Sequence, residues 1–284
     1  MEKKQDTKQK FRIGLTIFGA VLVVLILGLL AIGGIYVINR YSDAEVKPAY
    51  KEVITENYQG IRELEVDVEA ISLVIKHEGN NISLTHHEFI EVLLEEDELI
   101  IREKKKHWYE RVEGKVVLTI PENFNFEEVS IEGGAGSVKI DGLAMRGFDL
   151  EFGAGKITLN NLTVTGSASI EGGSGSASIT GGSYNNLEVS MDVGSLKMLT
   201  KLNGRNIIEA GIGSSDIKLI GKSSDYTIAV NKGLGDIIVG NYIAKDGDDF
   251  GQGAVKVAVV GGIGNSVIKF VDEQGKVVED IYKY

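Results

Sequence analysis

Beyond residue 60, apolar and polar residues alternate with a period of two over most of the chain. The runs "RELEVDVEAISLVIKHEGNNISLTHHE" (62–88), "IEVLLEEDELIIREKKK" (90–106) and "KVVLTIPENF" (115–124) each read as strands with one buried face. Turn signals interrupt them at Gly79-Asn80-Asn81 and at Glu96-Asp97.

From residue 129 a longer period is laid over this alternation. The later glycine of each Gly-x-Gly, or its equivalent, falls at 136, 155, 175, 194, 213, 235 and 264, with spacings of 19, 20, 19, 19, 22 and 29. Ile131, Leu150, Ile170, Val189 and Ile208 stand five positions before this glycine. Val138, Ile157, Ala177 and Leu196 follow it by two, and Ile140, Leu159, Ile179 and Met198 by four. Such a unit is two short strands joined at a bend too tight for a Cβ. The bends fall to Gly134, Gly136, Gly153, Gly155, Gly173, Gly175, Gly194, Gly211, Gly213, Gly233, Gly235, Gly262 and Gly264. Stacking these units buries one continuous apolar column, which predicts an all-β solenoid with two-strand coils of about 19–20 residues.

Residues 13–38 break the pattern, with 26 positions and no charge. As a helix they would span about 39 Å, enough to cross a bilayer. The preceding twelve residues carry five Lys/Arg against two Asp/Glu. This predicts a single-pass protein of the bacterial cell membrane, with its N-terminus cytoplasmic and its C-terminal domain extracytoplasmic. The expected organisation is a basic tail (1–12), a transmembrane helix (13–38), a spacer (39–60), the first strands and cap (61–128), the repeat solenoid (129–270) and a C-terminal hairpin closing the far end (271–284).

Composition agrees with a glycine-cornered β protein: 36 Gly, 2 Pro and 43% hydrophobic residues. There is no cysteine, hence no disulfide, thiolate ligand or cysteine nucleophile. The formal charge of −11 becomes −14 once the first twelve residues are set aside, which argues against nucleic acid as a partner.

The segment "KVVLTIPENFNFEEVSIEGGAGSVKI" and the Gly-x-Gly-Ser/Asp repeats resemble a bacterial candidate-adhesin family of β-strand-repeat domains of unknown function. The resemblance covers roughly residues 60–270. It implies a right-handed β-solenoid, often behind one membrane helix and sometimes encoded among cell-envelope stress proteins, with no catalytic residues to carry over. Asp192-Val193-Gly194, which lacks the first glycine, and the two widened final spacings depart from the pattern.

Phosphate loops are not supported. "LIGKSSD" has Asp216 where the leading glycine of a Walker loop belongs, and "GAGKIT" has isoleucine after its lysine. Calcium β-roll turns are also missing their aspartates, because Val138, Ala177 and Ser266 occupy those positions. Asp246, Asp248 and Asp249 read as a solvated acidic loop. His77, His86 and His87 read as exposed strand histidines, the last two pointing to opposite faces. One pattern reads either as a ladder attracting cations or a basic partner or as a solvated charged face: Glu132, Glu151, Glu171, Ser190, Glu209 and Asn231 share an outward register four residues before the marker glycine. Lys139, Lys197 and, after a one-residue bulge, Lys218 occupy another.

These features lead to a non-catalytic scaffold without cofactor or metal that contacts wall polymer, a surface or another cell, anchored in the cytoplasmic membrane through residues 13–38. The alternative is an accessory regulator of a membrane sensor, packing through Gly14, Gly19, Gly28, Gly33 and Gly34. A carbohydrate-active β-helix enzyme would need a concave pocket that the sequence does not announce.

Overall fold

The computed structural model describes residues 53–104 and 114–278. The chain divides into two units, Met1–Pro48 and Ala49–Tyr284, and the first lies outside the described residues. The expected placement in a membrane is corrected here. Among the described residues no helix is long and apolar enough to cross one, and residues 13–38, on which that expectation rested, are not among them.

Alternation does become strand. The described residues open with seven short strands: β1 (Val53–Tyr58), β2 (Glu63–Val68), β3 (Ile71–His77), β4 (Ile82–His87), β5 (Ile90–Glu95), β6 (Glu98–Glu103) and β7 (Gly114–Ile120). Five long strands follow, each running through a glycine bend: β8 (Asn125–Asp141), β9 (Ala144–Asn160), β10 (Thr163–Asn185), β11 (Leu187–Asn203) and β12 (Arg205–Ile220). The last five are β13 (Tyr226–Asn231), β14 (Ile237–Val239), β15 (Tyr242–Ile243), β16 (Asp249–Phe250) and β17 (Val255–Val271).

Parallel pairing stacks these strands into nine layers among the described residues. Their order is β6 with β7, β2 with β3, β8, β9, β10, β11, β12, β17, then β13 with β14. One core column runs through all of them in register: Ile101, Val66, Ile131, Leu150, Ile170, Val189, Ile208, Val259 and Val230, none more than 1% exposed. Burying each such side chain contributes roughly 1.5–3 kcal/mol, so the column is a principal source of cohesion.

Spatial order departs from chain order at both ends. The repeat around Gly264 sits between those around Gly213 and Gly235, so β17 fills the gap between β12 and β13. At the other end β2 and β3 lie between β8 and the outermost β6–β7 layer. An end coil exposes unpaired N–H and C=O groups that invite edge pairing. Here the chain overshoots by one coil, and antiparallel strands cover the outer layer. β5 pairs with β6 and β4 with β7; at the far end β16 pairs with β13 and β15 with β14.

Two further expectations change. Residues 271–278 do not cover the far end, where β15 and β16 lie instead, and residues 279–284 lie outside the described residues. Asp272–Lys276 form a turn tied by the Val271–Val277 bridge, with Gly275 beside Leu199 of β11. There is no bulge before Lys218 either. Gly213 pairs with Gly264, Ser215 with Ser266 and Ile217 with Ile268 without a break. Ser215 and Ser266, both buried, occupy the position that holds aliphatic residues in earlier coils, and this made the sequence look shifted.

Candidate functional site

The glycine corner divides each coil into two walls. Gly136, Gly155, Gly175, Gly194, Gly213 and Gly264 have φ between +130° and +146°, where an L side chain is strained. They stack directly, with Gly235 above Gly264. A Cβ on Gly155 would lie 2.1 Å from the Gly136 carbonyl oxygen, and one on Gly264 would lie 1.7 Å from that of Gly213. The companion glycines Gly134, Gly153, Gly173, Gly211, Gly262 and Gly233 form a second column, in which Asp192 replaces one member. These residues are structural corners.

The wall before the corner is acidic. Glu132, Glu151 and Glu171 pair in successive layers, followed by Ser190 and Glu209, and all four glutamates are exposed. Val260 separates Glu209 from Asn231, because β17 intervenes. The sequence missed the ladder's beginning, where Asp67 precedes Glu132 and faces Arg102 in the next layer. Arg102 donates to Glu65 at 2.7 Å. Glu98, in that outermost layer, has its carboxyl raised by partial burial and then by the Glu65, Glu63 and Glu95 carboxylates. Among the described residues no three carboxylates or histidines converge on a point where a metal ion could sit.

The wall after the corner has the opposite character. Outward-facing Lys115 (β7), Lys76 (β3), Lys139 (β8), Lys156 (β9), Lys197 (β11), Lys218 (β12) and Lys269 (β17) supply one lysine to each of seven layers. Strand alternation sets them outward, since each is adjacent to a buried residue such as Val116, Ile75, Ile140, Ile157, Met198, Ile217 or Ile268. They do not form one row: Lys197 pairs with Asp216, and Lys218 with Leu199. Ser72, Ser137, Ser176, Ser195, Thr158, Ser178 and Thr180 fill the intervening positions. Acids of this wall among the described residues include Asp141 and Asp216, Asp236 just after the last corner, and Glu78, which forms an ion pair with Lys76. At its starting end an open cleft of about 490 Å³ is lined by Asn57, Lys76, Glu78, Asn80, Asn81, Ser83 and Thr119, among others.

Other singled-out residues have structural roles. His86 alternates inward with Ile82 and Leu84 and is buried, correcting its expected exposure; its Nδ1 faces the His87 carbonyl at 2.9 Å. His87 stacks on Phe89, and His77 contacts the Pro121 carbonyl at 2.9 Å. The acidic loop is tied to the end cap. Asp246 accepts from the Lys232 amide at 2.9 Å, Asp248 from the Lys245 amide at 2.8 Å, and buried Phe250 belongs to β16.

Comparison with known proteins gives the following. Solved structures similar to this chain include a candidate cell adhesion protein from Clostridium sporogenes, at 14% identity and TM-score 0.33, covering 78% of this chain and 99% of that one. A candidate adhesin from Bacteroides fragilis is 14% identical with TM-score 0.32, covering 77% and 97%. A candidate lipid binding protein from Parabacteroides distasonis is 14% identical with TM-score 0.28, covering 77% and 98%. No curated protein matches. The sequence profile of the Toastrack DUF4097 domain matches residues 61–241, most of the layered region. The chain therefore belongs to the Toastrack DUF4097 family.

Proposed function

We propose that this protein is a non-catalytic binding scaffold whose lysine-bearing wall holds an extended anionic polymer of the cell envelope. The observation that carries the reading is the supply of one outward lysine per layer in seven of nine layers, in a chain of net charge −11. Neighbouring layers are about 4.8 Å apart, so a polymer lying along the stack meets a cation at most layers, spread across the width of the wall. Each contact is weak and screened by salt, and their multiplicity supplies the affinity. Hydroxyls and amides between the lysines can bond to sugar hydroxyls, and the cleft at Asn57, Asn80 and Asn81 gives the polymer a place to seat one end. An adhesin-like role, with the polymer on another cell or surface, uses the same chemistry.

Co-sedimentation of the full chain with an insoluble anionic wall glycopolymer, and with a neutral polysaccharide, tests this. Binding should favour the anionic polymer and weaken steeply between low and high salt. Equal, salt-insensitive binding to both would overturn the reading. Release of shortened chains from either polymer would overturn its non-catalytic part.

A further inference from the structure

Four adjacent strands at the starting end of the stack set polar side chains in one row. Asn57 of β1 pairs with Ser83 of β4, Ser83 with Thr119 of β7, and Thr119 with Lys76 of β3. A second row, two residues along each strand, runs Thr55, Thr85, Val117 and Val74. Alternation turns the β4, β7 and β3 members outward, because Leu84, Leu118 and Ile75, between the two rows, are fully buried. The connection from β3 to β4, residues 78–81, supplies the rest of the cleft's lining. It is anchored at the end of β7, since the Glu78 amide donates to the Ile120 carbonyl at 3.0 Å. The cleft's volume of about 490 Å³ falls within the roughly 300–1,000 Å³ of small-molecule sites.

Charge cancels in this cleft, because Lys76 and Glu78, the charged residues of its lining, form an ion pair with each other. What remains is amide, hydroxyl and one apolar spot. Asn57, Asn80 and Asn81 bring three exposed side-chain amides, and half-buried Val117 lies among them. Ser83, Thr85 and Thr119 add hydroxyls. Two of these are held in place: Thr85 shares a hydrogen bond with Thr55 at 3.1 Å, and Thr119 donates to the Ser83 carbonyl at 3.2 Å. Each keeps a lone pair with which to accept. A charged ligand gains nothing here over a neutral one. A ligand that carries its own amide meets an asparagine in both directions, donor to acceptor and acceptor to donor. A methyl group on that amide covers Val117. We propose that the cleft is a subsite for an uncharged N-acetylated amino sugar. Its acetamido group meets the asparagine amides and Val117, and its ring hydroxyls meet Ser83 and Thr119. A plain hexose makes the hydroxyl contacts but leaves Val117 uncovered and the amides with weaker partners. The proposal rests on the reading of the adjoining wall as polymer-binding: lysines hold the anionic units, and the cleft selects a neutral acetamido sugar of the same chain.

Diacetylchitobiose and cellobiose have the same linkage between two neutral rings and differ in carrying acetamido groups or hydroxyls. Each is titrated into the full-length protein at low and high salt and followed by saturation-transfer NMR. The native chain is compared with Asn57→Ala, Asn80→Ala/Asn81→Ala and Lys156→Glu/Lys197→Glu, with circular dichroism as the folding check. The two asparagine variants lie on separate segments, so a folding failure in one leaves the other to decide. The expected result is saturable binding of diacetylchitobiose, about tenfold or more tighter than cellobiose and little changed by salt. A folded asparagine variant should lose about tenfold, whereas Lys156→Glu/Lys197→Glu should match the native chain. Absence of saturable diacetylchitobiose binding overturns the proposal, and so does equal binding of cellobiose. Binding that survives both asparagine variants, or that falls steeply with salt, overturns it as well. None of these results touches co-sedimentation with the anionic polymer. A protein that binds the disaccharide through the asparagines yet fails to co-sediment keeps the subsite and overturns the wall reading.

Discussion

At the residue scale the stacked glycines carry the heaviest constraint. Gly175 has φ +135°, and a Cβ there would lie 2.0 Å from the Gly155 carbonyl oxygen, so the layer above cannot move aside without losing its own pairing. Gly175→Ala should cost more than about 2 kcal/mol, read as a lowered denaturant midpoint. Ala154→Ser, one position from a corner glycine and exposed, should leave the midpoint nearly unchanged. Buried tyrosines set a different limit. Burial raises the Tyr184 phenol well above its ordinary value, and its hydroxyl has no hydrogen-bond partner. Burial also pushes Tyr226 up to about 12, while its hydroxyl donates to the Ile220 carbonyl at 2.7 Å. An unfolded tyrosine ionises near pH 10, so above that pH the unfolded chain releases protons that the native one keeps. Stability should be unaffected by these groups below pH 10 and fall as pH rises towards about 12. Tyr184→Phe should flatten that fall in pH-dependent denaturation and, by removing an orphaned hydroxyl, be neutral or stabilising by about 1 kcal/mol at pH 7.

At the element scale the sequence gives a clear account of strand and corner and a poor one of connectivity. Alternation around Ile131, Leu150 and Ile170 placed the inward faces, and the glycine spacing marked the corners, because both are local consequences of a repeated bend. The overshoot at each end was not legible. Residues 226–239 and 255–271 carry the same inward pattern, and nothing local says which of the two lies against β12. That choice is made by edge cover. Only a coil flanked by the short β15 and β16 comes with antiparallel strands to shield its outer edge. His86 was misjudged for a related reason, since its burial follows from β4 packing between β1 and β7 and not from its own neighbours in sequence. Hydrogen exchange distinguishes the orders. Amides of β17, an inner layer, should be protected as strongly as those of β11, and amides of β14, in the outermost layer, should exchange faster. A coil order that followed the sequence would reverse β17 and β14.

At the scale of the layered unit the two walls divide the charge. Glutamates at successive layers of one wall repel one another through solvent, and salt relieves it. Glu151→Gln should therefore raise the melting temperature at low ionic strength, with the gain shrinking as salt is added. The glutamate ladder drew attention in the sequence because it kept one register. The lysines drew less, because they are spread over three registers of the opposite wall and gather only when the layers are stacked. Binding by that wall is the central claim, and a charge-reversal comparison tests it most directly. Lys156→Glu/Lys197→Glu and Glu151→Lys/Glu171→Lys are each titrated against the same anionic wall glycopolymer at low salt, with circular dichroism confirming the fold. The account predicts that the first variant loses at least tenfold in affinity, while the second keeps or gains affinity. Equal affinity in the native chain and the Lys156→Glu/Lys197→Glu variant would contradict it.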